Sequence, residues 1–279
     1  INELQEIIKS FLIEENLKYE SLNVFSSPTR LIILLKNFPD KIKIPSKDIR
    51  GPKVGVMEDI INSFLKAHDS SRKDLTKKQN DKGNFYYIKT KAKEVLTSEV
   101  LKKIVVNSIA SIKWKKSMRW ANTDLLWGRP LRSILAIYNK NILAFSYGHL
   151  KTNDCTLIEK DLDIKVKKVT NFKEYQKLLL NNNIILDHED REKKIIKKFE
   201  NLFEAKSFKN YYDTKLLREV TNIVEDPQVL LVDFDKKYLK LPKEIIISTL
   251  QNHQRYFPIF DKKDEITNFS LVVANKKDK

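Results

Sequence analysis

Cysteine is nearly absent from the 279 residues: Cys155 stands alone, so neither an intrachain disulfide nor a cysteine metal cluster can form. Nothing around Cys155 prefers an activated thiol over a quiet core or surface one. Glycine is scarce as well, with five in the chain, and there is no glycine-rich phosphate loop, nucleophile elbow or internal repeat. No apolar run approaches the roughly 18 residues of a membrane span, and the charged opening segment is unlike a signal peptide. A cytoplasmic protein with no membrane partner is the expectation. The chain starts at Ile1 rather than methionine, which points to processing or truncation.

What is present is charge. Lys and Arg total 53 against 37 Asp and Glu, a net +16, and so basic a chain suggests a nucleic-acid partner. That inference is weakened by composition: only nine of the cations are arginine, and abundant Lys, Ile and Asn is what A/T-rich codons produce. The arginines are the better witnesses, because a planar fork suits phosphate and base stacking better than a point charge. Six of them, Arg30, Arg50, Arg119, Arg129, Arg132 and Arg255, sit beside Pro, Gly, Trp or Tyr. A hydrophobic fraction of 41% is that of a globular protein, and the length suits one large domain or two ordinary ones.

Periodicity outlines an α+β protein, two mixed helix and sheet domains with antiparallel hairpins. Leu4, Ile7, Ile8, Phe11 and Leu12 share a helical face, and Ser27 with Pro28 turns the chain into a buried strand over residues 31–35. Arg30 enters that strand, and its plain reading is a solvated edge cation. Arg50, Gly51 and Pro52 read as a second turn, residues 80–83 as a third, and 85–88 as a strand. Thr97, Ser98 and Glu99 open a helix. Trp114, Lys115, Lys116, Met118, Arg119 and Trp120 follow without clear period, either an RNA surface of indole and cations or a packed corner. Strands are expected over 134–138, 142–147, 184–186, 229–232 (a central strand), 257–260 and 269–273. A shift toward lysine places a boundary near residue 160, giving domains 1–160 and 161–279. Asn171 with Glu174 resembles a capping box. Asp187, His188, Glu189 and Asp190 are either a metal cluster or, as the N-cap character of Asp187 favours, the acidic first turn of a helix. The scattered Asp226, Asp233, Asp235 and Asp261 require no metal. No catalytic residue, metal ligand or cofactor site is assigned.

The segment from Leu239 to Asp261, LKLPKEIIISTLQNHQRYFPIFD, is the most distinctive. Pro242 suits a first helical position, Glu244 suits the first turn, and Ile246, Ile247 and Leu250 make the apolar stripe. His253, Gln254, Arg255 and Tyr256 then leave the helix end together, before Pro258. They hold a nucleotide by charge and stacking, or they complement the helix dipole and the core.

This segment closely resembles the LP-x-E-x-L-x-x-T-M-x-x-HQ-x-YF motif of the beta subunit of bacterial glycyl-tRNA synthetase, with HQ and YF intact. Further resemblances run in the same order. Thr29 and Arg30 fall at TPRRL, Arg50 to Pro52 at RGP, Met118 to Trp120 at KRMRWG, and Arg129 to Leu131 at FVRPI. Asp187 begins D-x-x-ER, Asn222 to Pro227 fall at N-x-VE-x-P, and Phe234 with Asp235 at FD. Ala121 replaces a glycine, Asp226 a tryptophan, and GHRF is missing after Gly148. The resemblance implies the N-terminal portion of that subunit, without its HD-like and anticodon-binding regions. It implies RNA contacts at the six arginines, Trp120 and His253 to Tyr256, an alpha-subunit partner, tRNA-Gly, and an α2β2 enzyme. ATP and Mg2+ would be used through the alpha subunit, which holds the catalytic core, and this portion would be inactive alone. The rival readings are a general RNA-binding protein, a hydrolase built on Asp226, Asp235 and His253, and a pure subunit scaffold.

Overall fold

The computed structural model describes residues 1–44, 46–80, 83–90, 92–120, 122–160 and 163–275, and the fold is α+β, built of short helices and antiparallel hairpins. Contacts divide the chain into two compact units. One comprises Ile1–Gln5, Ser21–Lys36 and Lys113–Lys279, the other Glu6–Glu20 and Asn37–Ile112. The lysine-rich shift near residue 160 falls inside the first of these, between the paired strands Cys155–Lys160 and Asp163–Lys168.

The opening helix, Asn2–Glu14, buries Leu4, Ile8 and Leu12, as its spacing predicts. In the smaller unit, Gly83–Lys89 is the centre of a three-stranded antiparallel sheet flanked by Asp48–Lys53 and Leu75–Asn80. The expected turn at residues 80–83 includes 81 and 82, which lie outside the described residues. Helix Glu58–Ala67 lays Ile61 and Leu65 on one sheet face, against Ile88 and the half-buried Ile49, Leu75 and Tyr86. The expected turn at Arg50 to Pro52 is instead strand, with a register shift between Arg50 and Lys53. Its glycine is set by packing, because a Cβ on Gly51 would lie 2.5 Å from the Phe64 ring. Proline is tolerated at such an irregularity because no ladder amide is needed there.

In the larger unit, Ser21–Ser27 and Arg30–Lys36 form a two-stranded hairpin. The second strand was expected to be buried, yet Leu31 is 39% exposed, since a hairpin covers only one of its faces. The expected strand over 134–138 is broken into Ile134–Leu135, parallel to Leu150–Asn153, and Ile137–Tyr138, antiparallel to Asn141–Ile142. Between these pieces Ala136 bonds to Asn153 and Leu143. Helix Phe172–Asn181 is capped by Asn171, whose side chain accepts from the Glu174 amide at 2.9 Å, while the Glu174 carboxylate reaches back to Thr170. Residues 184–186 form no ladder. Ile184 and Leu186 are buried, and the Ile185 amide bonds to the Glu225 carbonyl at 2.9 Å.

Asp187 N-caps helix His188–Ala205 by accepting from the Glu189 amide at 2.9 Å, as the capping reading holds. That helix and Thr214–Thr221 pack Ile195, Phe199, Phe203, Leu216, Leu217 and Val220 against a three-stranded sheet. Its order is Gln228–Asp233, Ile266–Ala274, Phe257–Phe260, so the strand expected at the centre is an edge. The central place belongs to the nine-residue Ile266–Ala274, long enough to pair on both sides.

Candidate nucleic-acid interface

Pro242 is the N-cap of a short α-helix, Lys243–Ser248, one position earlier than expected. The helix then widens into a π-helical turn, Thr249–Gln254, and stops at Arg255 in the left-handed conformation (φ 59°, ψ 33°). The Tyr256 amide closes the turn on the Leu250 carbonyl at 2.8 Å, and the buried Phe257 enters the sheet. A wide turn between two packed anchors carries its residues outward: His253, Gln254 and Arg255 are exposed, while Tyr256 is half-buried. The Arg255 guanidinium bonds to the Asn252 carbonyl at 2.7 Å, and its Nε lies 3.4 Å from Glu219 on helix Thr214–Thr221. Its side chain is still 49% exposed.

Arg30 is not a solvated edge cation, for its side chain is 11% exposed. Nη1 meets Glu225 at 3.0 Å, Nη2 donates to the Leu157 carbonyl at 2.6 Å, and Ser27 and Thr29 also donate to Glu225. Burial raises the Glu225 pKa, but the charge of Arg30 and the three donors outweigh it and hold the carboxyl below its ordinary value. Exposed Arg129 donates to the Pro28 carbonyl at 3.0 Å, so Arg30 and Arg129 meet at one turn.

Arg119 lies on a two-residue hairpin, Met118–Arg119 with Leu126–Trp127, exposed and 3.5 Å from Asp124. Trp120 is half-buried and donates its indole N–H to the Trp127 carbonyl at 2.8 Å. Trp114 packs beside Trp127, and a Cβ on Gly128 would lie 2.8 Å from the Trp114 ring. The segment is thus a packed aromatic corner with exposed cations at its rim. Ala121 lies outside the described residues. Arg132 is exposed. Arg50 belongs to the smaller unit, exposed on strand Asp48–Lys53 with its guanidinium 4.9 Å from the Phe85 ring centre.

Sequence reasoning passed over Arg191. It is fully buried and donates to four carbonyls, those of Thr221, Ile185, Leu186 and Ser26, at 2.8 to 3.1 Å. Burial lowers its pKa, with Glu225 and Asp187 opposing. The signal available was the arginine of the D-x-x-ER resemblance, one turn inside a capped helix. Of the four scattered aspartates, Asp226 accepts from Lys194 at 2.9 Å, Asp235 caps a 3-10 turn, and Asp261 accepts from the Lys263 and Glu265 amides. The hydrogen bond to Asp154 raises the Cys155 pKa, which keeps the thiol protonated and unactivated.

The model of the family described as the glycyl-tRNA synthetase beta subunit matches residues 1–279. The chain belongs to that family. Among its glycine–tRNA ligase beta subunits, that of Rickettsia prowazekii (strain Madrid E) is 36% identical over 264 residues, covering 95% of this chain and 40% of the relative. That of Rickettsia bellii (strain OSU 85-389) is 37% identical over 269 residues, again 95% and 40%. The chain therefore spans about 40% of the length of these curated beta subunits. The six arginines singled out by the sequence, together with Arg191, divide into two groups. Arg30 and Arg191 are drawn into the fold, whereas Arg50, Arg119, Arg129, Arg132 and Arg255 lie at the surface.

Proposed function

We propose that this chain is a tRNA-gripping and assembly portion of glycine–tRNA ligase, a cytoplasmic enzyme that charges tRNA-Gly. Catalysis with ATP and Mg2+ belongs to the alpha subunit of an α2β2 complex, and this portion is inactive alone. Its role is positional: cations on rigid elements hold the phosphate backbone so that the 3′ end reaches the adenylate. The observation that carries this reading is the His253, Gln254, Arg255 cluster, presented on a wide turn anchored by Ile246 and Phe257. Burial of Arg255 would have favoured a pure scaffold, and its half-exposed guanidinium favours contact with a partner. Arg30 and Trp120 act here as supports for the exposed cations, since both Nη atoms of Arg30 and the Trp120 indole N–H donate within the fold.

The test is binding of tRNA-Gly and a non-cognate tRNA across a salt series, with and without the alpha subunit. A grip gives binding that weakens steeply with salt, prefers tRNA-Gly in the complex and persists without alpha. Arg255→Asn, which suits the left-handed backbone, then flattens the log–log salt slope by about one. Stable association with alpha but no RNA binding by the chain would overturn the grip and leave the scaffold.

A further inference from the structure

The smaller unit carries a sheet face that its helix does not cover. Strand side chains alternate, and directly paired residues share a face. Helix Glu58–Ala67 takes the face of Ile49, Leu75, Tyr86 and Ile88. The other face carries Phe85 and Tyr87 on the central strand. Arg50 and Thr76 flank Tyr87, Lys53 and Lys78 flank Phe85, and Asp48 pairs with Lys89. Both rings are half-buried, and all the flanking side chains are exposed. The cations already lie against the aromatics, Arg50 at 4.9 Å from the Phe85 ring centre and Lys78 at 5.5 Å from that of Tyr87. Four cations face a single carboxylate, Asp48, which pairs with Lys78.

We propose that this open face, with Phe85 and Tyr87 as stacking rings and Arg50, Lys53, Lys78 and Lys89 as phosphate contacts, is a binding platform for unpaired RNA. Charge complementarity selects a polyanion. Two rings about 7 Å apart along one strand select a single strand, whose splayed bases can reach them while those of a duplex cannot. A base arriving on Phe85 replaces the Arg50 guanidinium, which is then free to take the adjoining phosphate. The choice of RNA over other polyanions rests on the proposed function, but the surface belongs to the other unit from the Arg255 turn and makes its own demand for unpaired nucleotides.

Anisotropy of the purified chain with a labelled short single-stranded RNA, and with a duplex of equal length at the same salt, tests the platform without using tRNA-Gly or the alpha subunit. Its outcome is therefore distinct from that of the tRNA test. The single strand binds more tightly than the duplex, and Phe85→Leu or Tyr87→Leu weakens it about ten-fold. Arg50→Gln, at an exposed position that the fold tolerates, weakens it and flattens the salt slope, while Arg255→Asn leaves it unchanged. RNA bearing 4-thiouridine crosslinks in the wild-type chain to the peptide containing Phe85 and Tyr87, a readout that needs no variant to fold. Equal binding of the duplex, or crosslinks only outside that peptide, would overturn the proposal.

Discussion

Two buried side-chain networks sit where the sequence offered only charged letters. Glu225 accepts from Ser27, Thr29 and Arg30, which ties the first hairpin to the chain after helix Thr214–Thr221. Replacing it by glutamine should destabilise the protein by about 1.5–3 kcal/mol at neutral pH, read by chemical denaturation. Because its folded pKa is depressed, this contribution is complete above the ordinary 4.5 and is lost as pH falls through the lowered value. Glu225→Gln should accordingly show a shallower acid limb than wild type. Arg191→Leu strands four carbonyls, two of them on the buried Thr221 and Leu186, and should cost about 3–5 kcal/mol, a loss that denaturation measures directly. Arg255 behaves in the opposite sense: a non-glycine residue at φ 59° is strained, so Arg255→Gly should raise stability by up to about 1 kcal/mol while weakening tRNA binding. Neither the Arg191 network nor the left-handed Arg255 was legible, because both depend on what lies across the fold rather than on neighbours in sequence.

Helices were the readable elements. Leu216, Leu217 and Val220 mark one face and are all buried, and on the face of Ile195, Phe199, Leu202 and Phe203 all but the half-buried Leu202 are buried. Strands were less readable: residues 184–186 form no ladder, 134–138 is broken into two short pieces, and others were misjudged in context. The period of two is identical for an edge and a centre, so 229–232 read as central until Ile266–Ala274 took that position. The Arg50 to Pro52 segment carried turn chemistry, yet it is strand, because Gly51 is there to let Phe64 approach. Gly51→Ala should therefore cost about 1–3 kcal/mol through displacement of the Phe64 ring, detected as a lower thermal midpoint. That loss would come with a shifted Arg50 and weakened single-stranded RNA binding.

At the scale of the whole molecule, a core in the larger unit joins two helices to a sheet through aromatic contacts. Phe199 touches the rings of Phe203, Tyr212 and Phe257, the last at 4.8 Å between centres. Phe199→Ala should cost about 3–5 kcal/mol and unfold the support beneath the Arg255 turn, so tRNA affinity and stability should fall together in that variant. Arg255→Asn should lower affinity without lowering stability, and comparing the two separates contact from support.

The α+β class, most helices, the caps at Asn171 and Asp187 and the family were all determined by the sequence alone. Each rests on local periodicity, on a side chain reaching its own backbone, or on a linear motif. Tertiary structure alone decided which arginines stay at the surface and which are spent on carbonyls and carboxylates. It also decided that Phe85 and Tyr87 look away from their helix, and that the chain divides into units built from interleaved segments. Those outcomes depend on residues far apart in the chain, such as Arg30 with Glu225 and Arg191 with Ser26, and no local pattern encodes which distant carboxylate or carbonyl a guanidinium will meet.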